Sequence, residues 1–516
     1  MGYKEIDVAV RTDYEEKELK NKIGRSLNIG DFSYSILRKS LDARNKRNIH
    51  WLIKVGVESD VLSGGSKPSV ETLVFPERSS GERKKAVVTG CGPAGLFAAL
   101  VLQRSGVDTV LIDKGSDVKK RIADIEIFEK TGNLKKNSGY PFGAGGAGTF
   151  SDGKITSRTK SITLEKNFIY KELIKAGAPT EIKYLTHPHL GTSNLRKIVS
   201  SLISEFISAG GNIFFETEVT SFRHKNRKII SVETEGKHTG EFDGNIFVFA
   251  PGQSSFDFYR TLMKGGFLFE NKPFAIGFRV EHLREEINIS QWGVRELPGV
   301  KAAEYRLTAK CEGGSVFTFC MCPGGKIVQA SPRHGLSVVN GMSDYDRNGK
   351  FSNSAVVTSF NVEHITGRTV SPLESLDILE KMERTFFEFN NSFALPAMTI
   401  SDLLCGRTGS LLPSSYSYPL GLISCDFYDI FPSKVLSSLV EGLKIFNRKI
   451  SCFENGVAAG LESKTSSPVK AVRTANFSTP PFANAFICGE GSGHAGGIMS
   501  SAADGIKIAT SILSGL

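Results

Sequence analysis

No two cysteines in this chain stand at CxxC spacing, and none fall in a ferredoxin-like run. The eight present (Cys91, Cys311, Cys320, Cys322, Cys405, Cys425, Cys452 and Cys488) are scattered through 516 residues. A disulfide framework and an iron–sulfur cluster are therefore excluded from the reading, and no metal site is expected. Uninterrupted apolar runs long enough to cross a bilayer are lacking too. The start, "MGYKEIDVAV", lacks the basic, apolar and small-residue order of a signal peptide, and Ile6 sits where a myristoylation pattern wants Ser or Thr. These absences make a soluble, cytoplasmic protein the expectation. There is no internal repeat and no low-complexity segment. Charge of neither sign dominates: the net +10 is modest for this length and suits anionic substrates, nucleic acid or solubility alone. With 40% hydrophobic and 23% charged residues the composition is ordinary for a globular chain, and the length predicts two to three compact units.

Glycine, by contrast, is abundant, and three stretches spell GxGxxG: "GCGPAG" from Gly90, "GAGGAG" from Gly143 and "GSGHAG" from Gly491. Such a motif binds a dinucleotide only where a strand precedes it and a helix follows. The first meets that condition. "KKAVVTG" supplies a β-branched strand, "LFAALVLQRSG" a helical apolar spacing, and "DTVLID" a second strand ending in Asp113, where a carboxylate should accept ribose hydroxyls. Gly90 permits the tight turn, Gly92 lets backbone approach a pyrophosphate, and Gly95 allows close helix packing. The second match follows the polar "LKKNSGYP" and precedes "TFSDGKITSR", which has no helical spacing. It reads as a loop of little side-chain bulk and many backbone N–H groups, suited to a flat or anionic group, or as a flexible surface loop. The third has a strand, "ANAFICGE", and a helix from Gly497 onward, but no closing strand and acid. Its helix N-terminus can face an acceptor atom or developing negative charge.

Together "VVTGCGPAGLFAALVL", "GAGGAGTFSDGK", the "FAPG" of Phe249 to Gly252 and "CGEGSGHAGGIMSSAADGI" resemble flavoproteins of the glutathione-reductase-like superfamily, and most of all the bacterial uncharacterised FAD-dependent dehydrogenases. The resemblance runs nearly the whole length, through "RKSLDARNKRNIHW", "FCMCPGGKIVQAS", "VVNGMSDYDRNGKFSNSAVV" and "LESKTSSPVKAVR". It departs at Pro251, where these flavoproteins usually have Thr, and at Glu490, where many have Asp. The resemblance implies an α/β fold: a Rossmann-type FAD-binding domain with an inserted β-rich substrate domain and a small N-terminal α+β domain. It implies that Gly90, Gly92, Pro93, Ala94, Gly95, Asp113 and Lys114 take the adenosine diphosphate half of FAD. Gly145, Gly146, Thr149, Ser151, Asp152 and Gly153 would lie beside the ribityl chain and flavin ring, with Ala250 and Gly252 nearby. Gly489, Glu490, Gly496, Gly497 and Ile498 would bring a helix N-terminus to the flavin N1 and C2 carbonyl. FAD is expected to be non-covalent, because no His or Cys context indicates a covalent link. NAD(P)H is expected only as a transient reductant, because neither other glycine motif completes a second dinucleotide unit.

Four segments are expected. Residues 1–80 read as an α+β unit with strands in "EIDVAV", "FSYSILRKSLDAR" and "IHWLIKVGVES" and a helix in "EEKELKNKIGRSL", followed by the polar linker "PERSSGERKK". Residues 81–254 form the first part of the FAD-binding domain, 255–423 a β-rich substrate or cap domain including "FAIGFRVEH", "AAEYRLTAK" and "SVFTFCMC", and 424–516 the returning part. On the substrate side, Arg279 is placed to grip a carboxylate and His282 to move a proton; a structural ion pair with a surface histidine fits the same letters. Lys154 and Arg158 offer positive charge beyond the glycine loop, and His494 offers a ring at the flavin edge or in turn packing. Cys320 and Cys322 share a strand face and read either as an electron-exchanging pair or as two adjacent buried thiols. The leading function is an FAD-dependent oxidoreductase acting on a small molecule. The alternative is a flavoprotein acting on a macromolecule such as tRNA through a basic N-terminal unit bearing Arg38, Lys39, Arg44, Lys46 and Arg47, which otherwise read as a solvated hairpin. Oligomeric state is not readable from the sequence.

Overall fold

The computed structural model describes residues 2–75, 83–157 and 160–516. Most of the linker expected between Pro76 and Lys85, the boundary at 80/81 and Arg158 lie outside the described residues. The N-terminal unit is an antiparallel sheet in the order Gly2–Val10, His50–Ser59, Ser33–Asp42, covered by the helix Glu16–Leu27. Leu19 and Ile23 of that helix meet Val8, Ile53, Val55 and Val57 in a small core. Three of its five candidate basic side chains are engaged within the chain. Lys39 lies over the rings of Tyr14 and Trp51, Arg44 pairs with Asp42, and Lys46 donates to the Ser290 carbonyl.

The next sheet has six strands in the order Ser478–Thr479, Phe482–Ile487, Ile246–Phe249, Lys85–Thr89, Asp108–Ile112, Asn212–Phe214. All but the first are parallel. Parallel strands buried on both faces read as apolar runs, as "AVVT", "TVLI" and "IFVF" do. On one face the helix Pro93–Arg104 packs between the sheet and the terminal helix Ile498–Ser514, so its residues 94–102 are buried all round. The antiparallel sheet Thr217–Lys225, Lys228–Gly236, Gly240–Asp243 covers the other face through Val219, Ile229 and Val232. Strand order reverses at Lys85–Thr89: the chain winds outward to Asp108–Ile112 and Asn212–Phe214, then returns to the other side at Ile246–Phe249. In open α/β sheets a ligand crevice opens at such a reversal, beyond the strands' carboxyl ends, which here run into Gly90 and Ala250.

A seven-stranded sheet runs Thr308–Cys311, Gly314–Cys322, Phe351–Phe360, Phe274–Leu283, Val457–Glu462, Leu395–Thr399, Leu422–Ser424, antiparallel except for its last pair. Helices Pro372–Glu388 and Ser433–Lys449 bury their apolar faces on it. The first begins with a capping box, in which Ser371 and Glu374 satisfy each other's backbone amides. Two sequence expectations differ here. Helix Ser433–Lys449 and strand Val457–Glu462, set by the sequence in the returning segment 424–516, belong with this sheet. The stretch "AAEYRL" is irregular and only Thr308–Cys311 is strand, because side chains take the amides a ladder would use: Ala303 donates to Asn288, Tyr305 to the Met321 sulfur and Leu307 to Thr318.

Candidate active site

A cavity of about 960 Å3 opens at the strand-order reversal and continues across the face of the seven-stranded sheet. At one end it is lined by Gly90, Gly92, Pro93, Ala94, Asp113 and Lys114; in the middle by Gly146, Ser151, Gly153, Ala250 and Gly252 from one side and Gly489, Glu490, Gly496, Gly497 and Ile498 from the other. Beyond these turns, Lys154, His187, Glu304, Arg306, Phe317 and Phe319 form the far chamber. The remaining sequence candidates stand behind the wall. Gly95 packs where a Cβ would lie 1.8 Å from the Gly90 carbonyl oxygen, Gly145 donates its N–H to the Cys91 carbonyl at 2.8 Å, and Thr149 donates to the Ala144 carbonyl at 2.9 Å.

The Asp113 carboxylate is largely used by the fold. It accepts N–H bonds from Cys91 at 2.7 Å, Gly115 at 2.8 Å and Gly143 at 3.0 Å, tying the first glycine turn to the second. Since a carboxylate has about four lone-pair sites, roughly one remains for a ligand. Lys114 lies 3.9 Å above the Phe142 ring and pairs with Glu218.

The loop 139–153 is built, not slack. Arg121, fully buried in the helix Val118–Thr131, donates to the carbonyls of Tyr140 at 2.8 Å, Ala144 at 2.5 Å and Gly146 at 3.0 Å. Sequence reasoning missed Arg121; its one local signal is an arginine on the buried face of an amphipathic helix. Also missed were Arg347 and Glu304. Asp152 is fully buried and accepts from Arg347 at 2.8 Å and Lys154 at 2.7 Å; Arg347 also pairs with Glu304. Burial alone would raise the Asp152 carboxyl, but Arg347 and Lys154 outweigh it and hold it well below the usual carboxylate range. Lys154 donates onward to the Met321 carbonyl and faces the cavity with its charge already paired.

Arg279 and His282 do not line the cavity. Arg279 is fully buried behind it and paired with Glu462 at 2.8 Å, with bonds to Asn353 at 2.7 Å and Asn340 at 3.2 Å; Glu462 and Asn340 themselves reach the cavity wall. The ion pair open to the sequence reading is thus Arg279–Glu462, formed across strands. His282 is buried on the opposite face against Phe453, whose carbonyl is 2.9 Å from Nε2, and burial pushes it down to about 4, so the ring stays neutral. It is no surface histidine. His494 lines the cavity and is fixed by the Ala471 carbonyl at 3.0 Å.

The terminal helix starts at Gly497, whose φ of 91° disfavours any side chain. The first amides of a helix have no partner within it. Glu490 stands in the turn before this end, and burial pushes its carboxyl up to about 7 although the Gly497 amide favours the charged form. The sign follows from the raised pKa: the stability it contributes is whole below the ordinary carboxyl value of 4.5 and lost as pH rises through about 7. Glu490→Gln cannot ionise. It is expected to gain on the parent by up to about 3 kcal/mol between about pH 5 and about pH 8, read from paired melts of the apo chain. Parallel melting curves across that range would show the carboxyl to be ionised throughout.

Residues 83–242 match the model of an FAD binding domain, residues 273–465 that of an FAD-dependent protein, C-terminal domain-like, and residues 3–58 a domain of unknown function. An uncharacterised protein of Clostridium beijerinckii is 36% identical over 530 residues, spanning 98% of each chain. Among solved structures, a geranylgeranyl bacteriochlorophyll reductase-like protein from Thermoplasma acidophilum superposes at a TM-score of 0.38 and 10% identity, over 84% of this chain and 79% of that one. The L-proline dehydrogenase of P. horikoshii does so at 0.36 and 12%, over 86% and 95%. Both are loose likenesses. Among the described residues no helix is long and apolar enough to cross a membrane. With an FAD-binding model on one side of the cavity, an FAD-dependent model on the other and a relative alike from end to end, the chain belongs to a family of FAD-dependent flavoproteins.

Proposed function

We propose that the protein is an FAD-dependent oxidoreductase of a small-molecule substrate, with FAD held non-covalently and residues 273–465 forming the substrate side. The observation that carries this reading is the continuity of the cavity, from the glycine turn at the sheet reversal, between two further glycine turns, to a chamber of mixed aromatic and polar lining. Bound FAD would supply the two-electron chemistry. The chain's part is to position and shield. Gly92 and the first turn of the helix Pro93–Arg104 would face the pyrophosphate. Gly146 packs against Gly92, where a Cβ on it would lie 3.0 Å from the Gly92 Cα, and the start of the terminal helix would favour negative charge on the ring. Burial pushes the Glu490 carboxyl up to about 7, so it would take up and give back a proton near neutrality. Within this reading Arg279 is a positioning residue, setting Glu462 and Asn340 in the wall.

The test is direct. Purified protein is expected to carry about one FAD per chain, released on denaturation, and anaerobic mixing with NADH, NADPH and a panel of small reductants should bleach it with at least one of them. Protein without flavin, or a flavin that no such reductant reaches, would overturn the proposal.

A further inference from the structure

The strand Gly314–Cys322 breaks its ladder beside the cavity. Its register with Phe351–Phe360 shifts between Phe319 and Cys322, and Cys320 within the break has a φ of 43°. A non-glycine residue at positive φ costs energy that the surroundings must repay, and such residues gather at functional sites. Here the consequence is geometric. In a regular strand alternate side chains point the same way, one repeat apart. The bulge instead turns Cys320 into the cavity and draws Cys322 beneath it, so that the Cys322 thiol, two residues on, donates to the Cys320 carbonyl at 3.3 Å.

Cations hold this arrangement from two sides. Arg279 donates to the Cys320 carbonyl at 2.5 Å and approaches the Cys322 sulfur at 3.7 Å. Lys154 donates to the carbonyl of Met321, the residue between them. Glu490, in the turn before the terminal helix, lines the same cavity as Cys320, as do the glycines proposed to meet the flavin. The neighbouring Cys322 thiol, with Lys154 and Arg279, outweighs burial and lowers the Cys320 thiol, while burial and the neighbouring sulfur push Cys322 well up. One thiolate and one neighbouring thiol is the protonation state from which a disulfide forms.

We infer that Cys320 and Cys322 are a redox pair that exchanges two electrons with the bound cofactor. In the oxidising direction the S–S bond forms as the Cys322 S–H bond breaks. The electron pair and that proton pass to oxidised FAD, giving its anionic two-electron-reduced form. The reverse transfer splits the disulfide and restores one thiol and one thiolate. The substrate chamber and the pair share one wall, so the dithiol would store a second electron pair beside the substrate.

This inference rests on the FAD reading, and FAD content measured on the same sample separates the two. Holoprotein treated with ferricyanide, cleared of oxidant and titrated anaerobically with dithionite is expected to take two electron pairs per FAD. A flavin alone takes one. Denatured after oxidation, it should show six free thiols where the reduced protein shows eight, with a peptide two hydrogen masses lighter joining 320 to 322. Cys320→Ser and Cys322→Ser should each return the titration to one pair per FAD and make the thiol count insensitive to oxidant. Flavin-loaded parent protein that takes one pair and keeps all its thiols, or that loses thiols at other cysteines, would overturn the proposal without help from either variant.

Discussion

Arg279→Met is expected to cost about 3–5 kcal/mol in the unfolding free energy, the range for removing one partner of a buried ion pair. The side chain is fully buried, and so is Glu462, which it meets at 2.8 Å. Burial opposes both charges. Arg279 nonetheless stays a cation because Glu462 and the neighbouring thiols outweigh that penalty, while burial pushes Glu462 up to about 7 despite the arginine. A methionine fills part of the volume but leaves Glu462, Asn353 and the Cys320 carbonyl without their donor. The glutamate would then take up a proton or draw water into the wall. Adding Glu462→Gln should recover a measurable part of the loss, because the double variant no longer buries a carboxyl without its cation. Urea unfolding of the parent, both single variants and the double variant checks this. Additive losses would mean that the two residues do not act as a pair.

Arg279 also marks where the sequence stops being informative. Its letters in "GFRVEH" show a strand and place it on a face with Glu281, but its partner Glu462 lies 183 residues away and comes alongside only when Val457–Glu462 joins the sheet. Arg347 and Asp152 are 195 residues apart for the same reason. The first glycine unit is legible because each of its parts is local: strand, turn, helix and second strand follow within Lys85–Ile112, each with its own periodicity and turn residues. The pairing of Phe482–Ile487 with Ile246–Phe249 is not local. It is anticipated only through the family resemblance, since a strand, a turn and a helix alone do not say which sheet they join. Cys320 is the opposite case. A period-two reading puts it on one face with Cys322, and the bulge that breaks that period is what sets Cys320 in the cavity wall with the Cys322 thiol on its carbonyl.

Gly92→Val is expected to leave a folded protein that no longer keeps its flavin, with FAD affinity falling at least about a hundredfold, or roughly 2.7 kcal/mol. The three glycines of the first motif do different work, and the structure separates them. A Cβ on Gly95 would sit 1.8 Å from the Gly90 carbonyl oxygen, so substitution there forces helix and strand apart and tests folding. A Cβ on Gly92 meets nothing nearer than the Cα of Gly146 at 3.9 Å. Gly92 has a φ of −73°, a conformation that every residue adopts, so valine brings no backbone strain there and costs the apo chain only about 1 kcal/mol as a poorer start to the helix Pro93–Arg104. Its two methyl groups would project from the start of that helix into the cavity that Gly92 lines, where the pyrophosphate is proposed to lie. They would hold it away from the helix amides that favour it. The expected pair of results is therefore an apo melting profile close to that of the parent and next to no flavin released into the supernatant when the purified variant is denatured. Gly92→Val protein that remains yellow with full FAD content would remove the pyrophosphate from this turn, whatever the second and third glycine motifs then prove to bind.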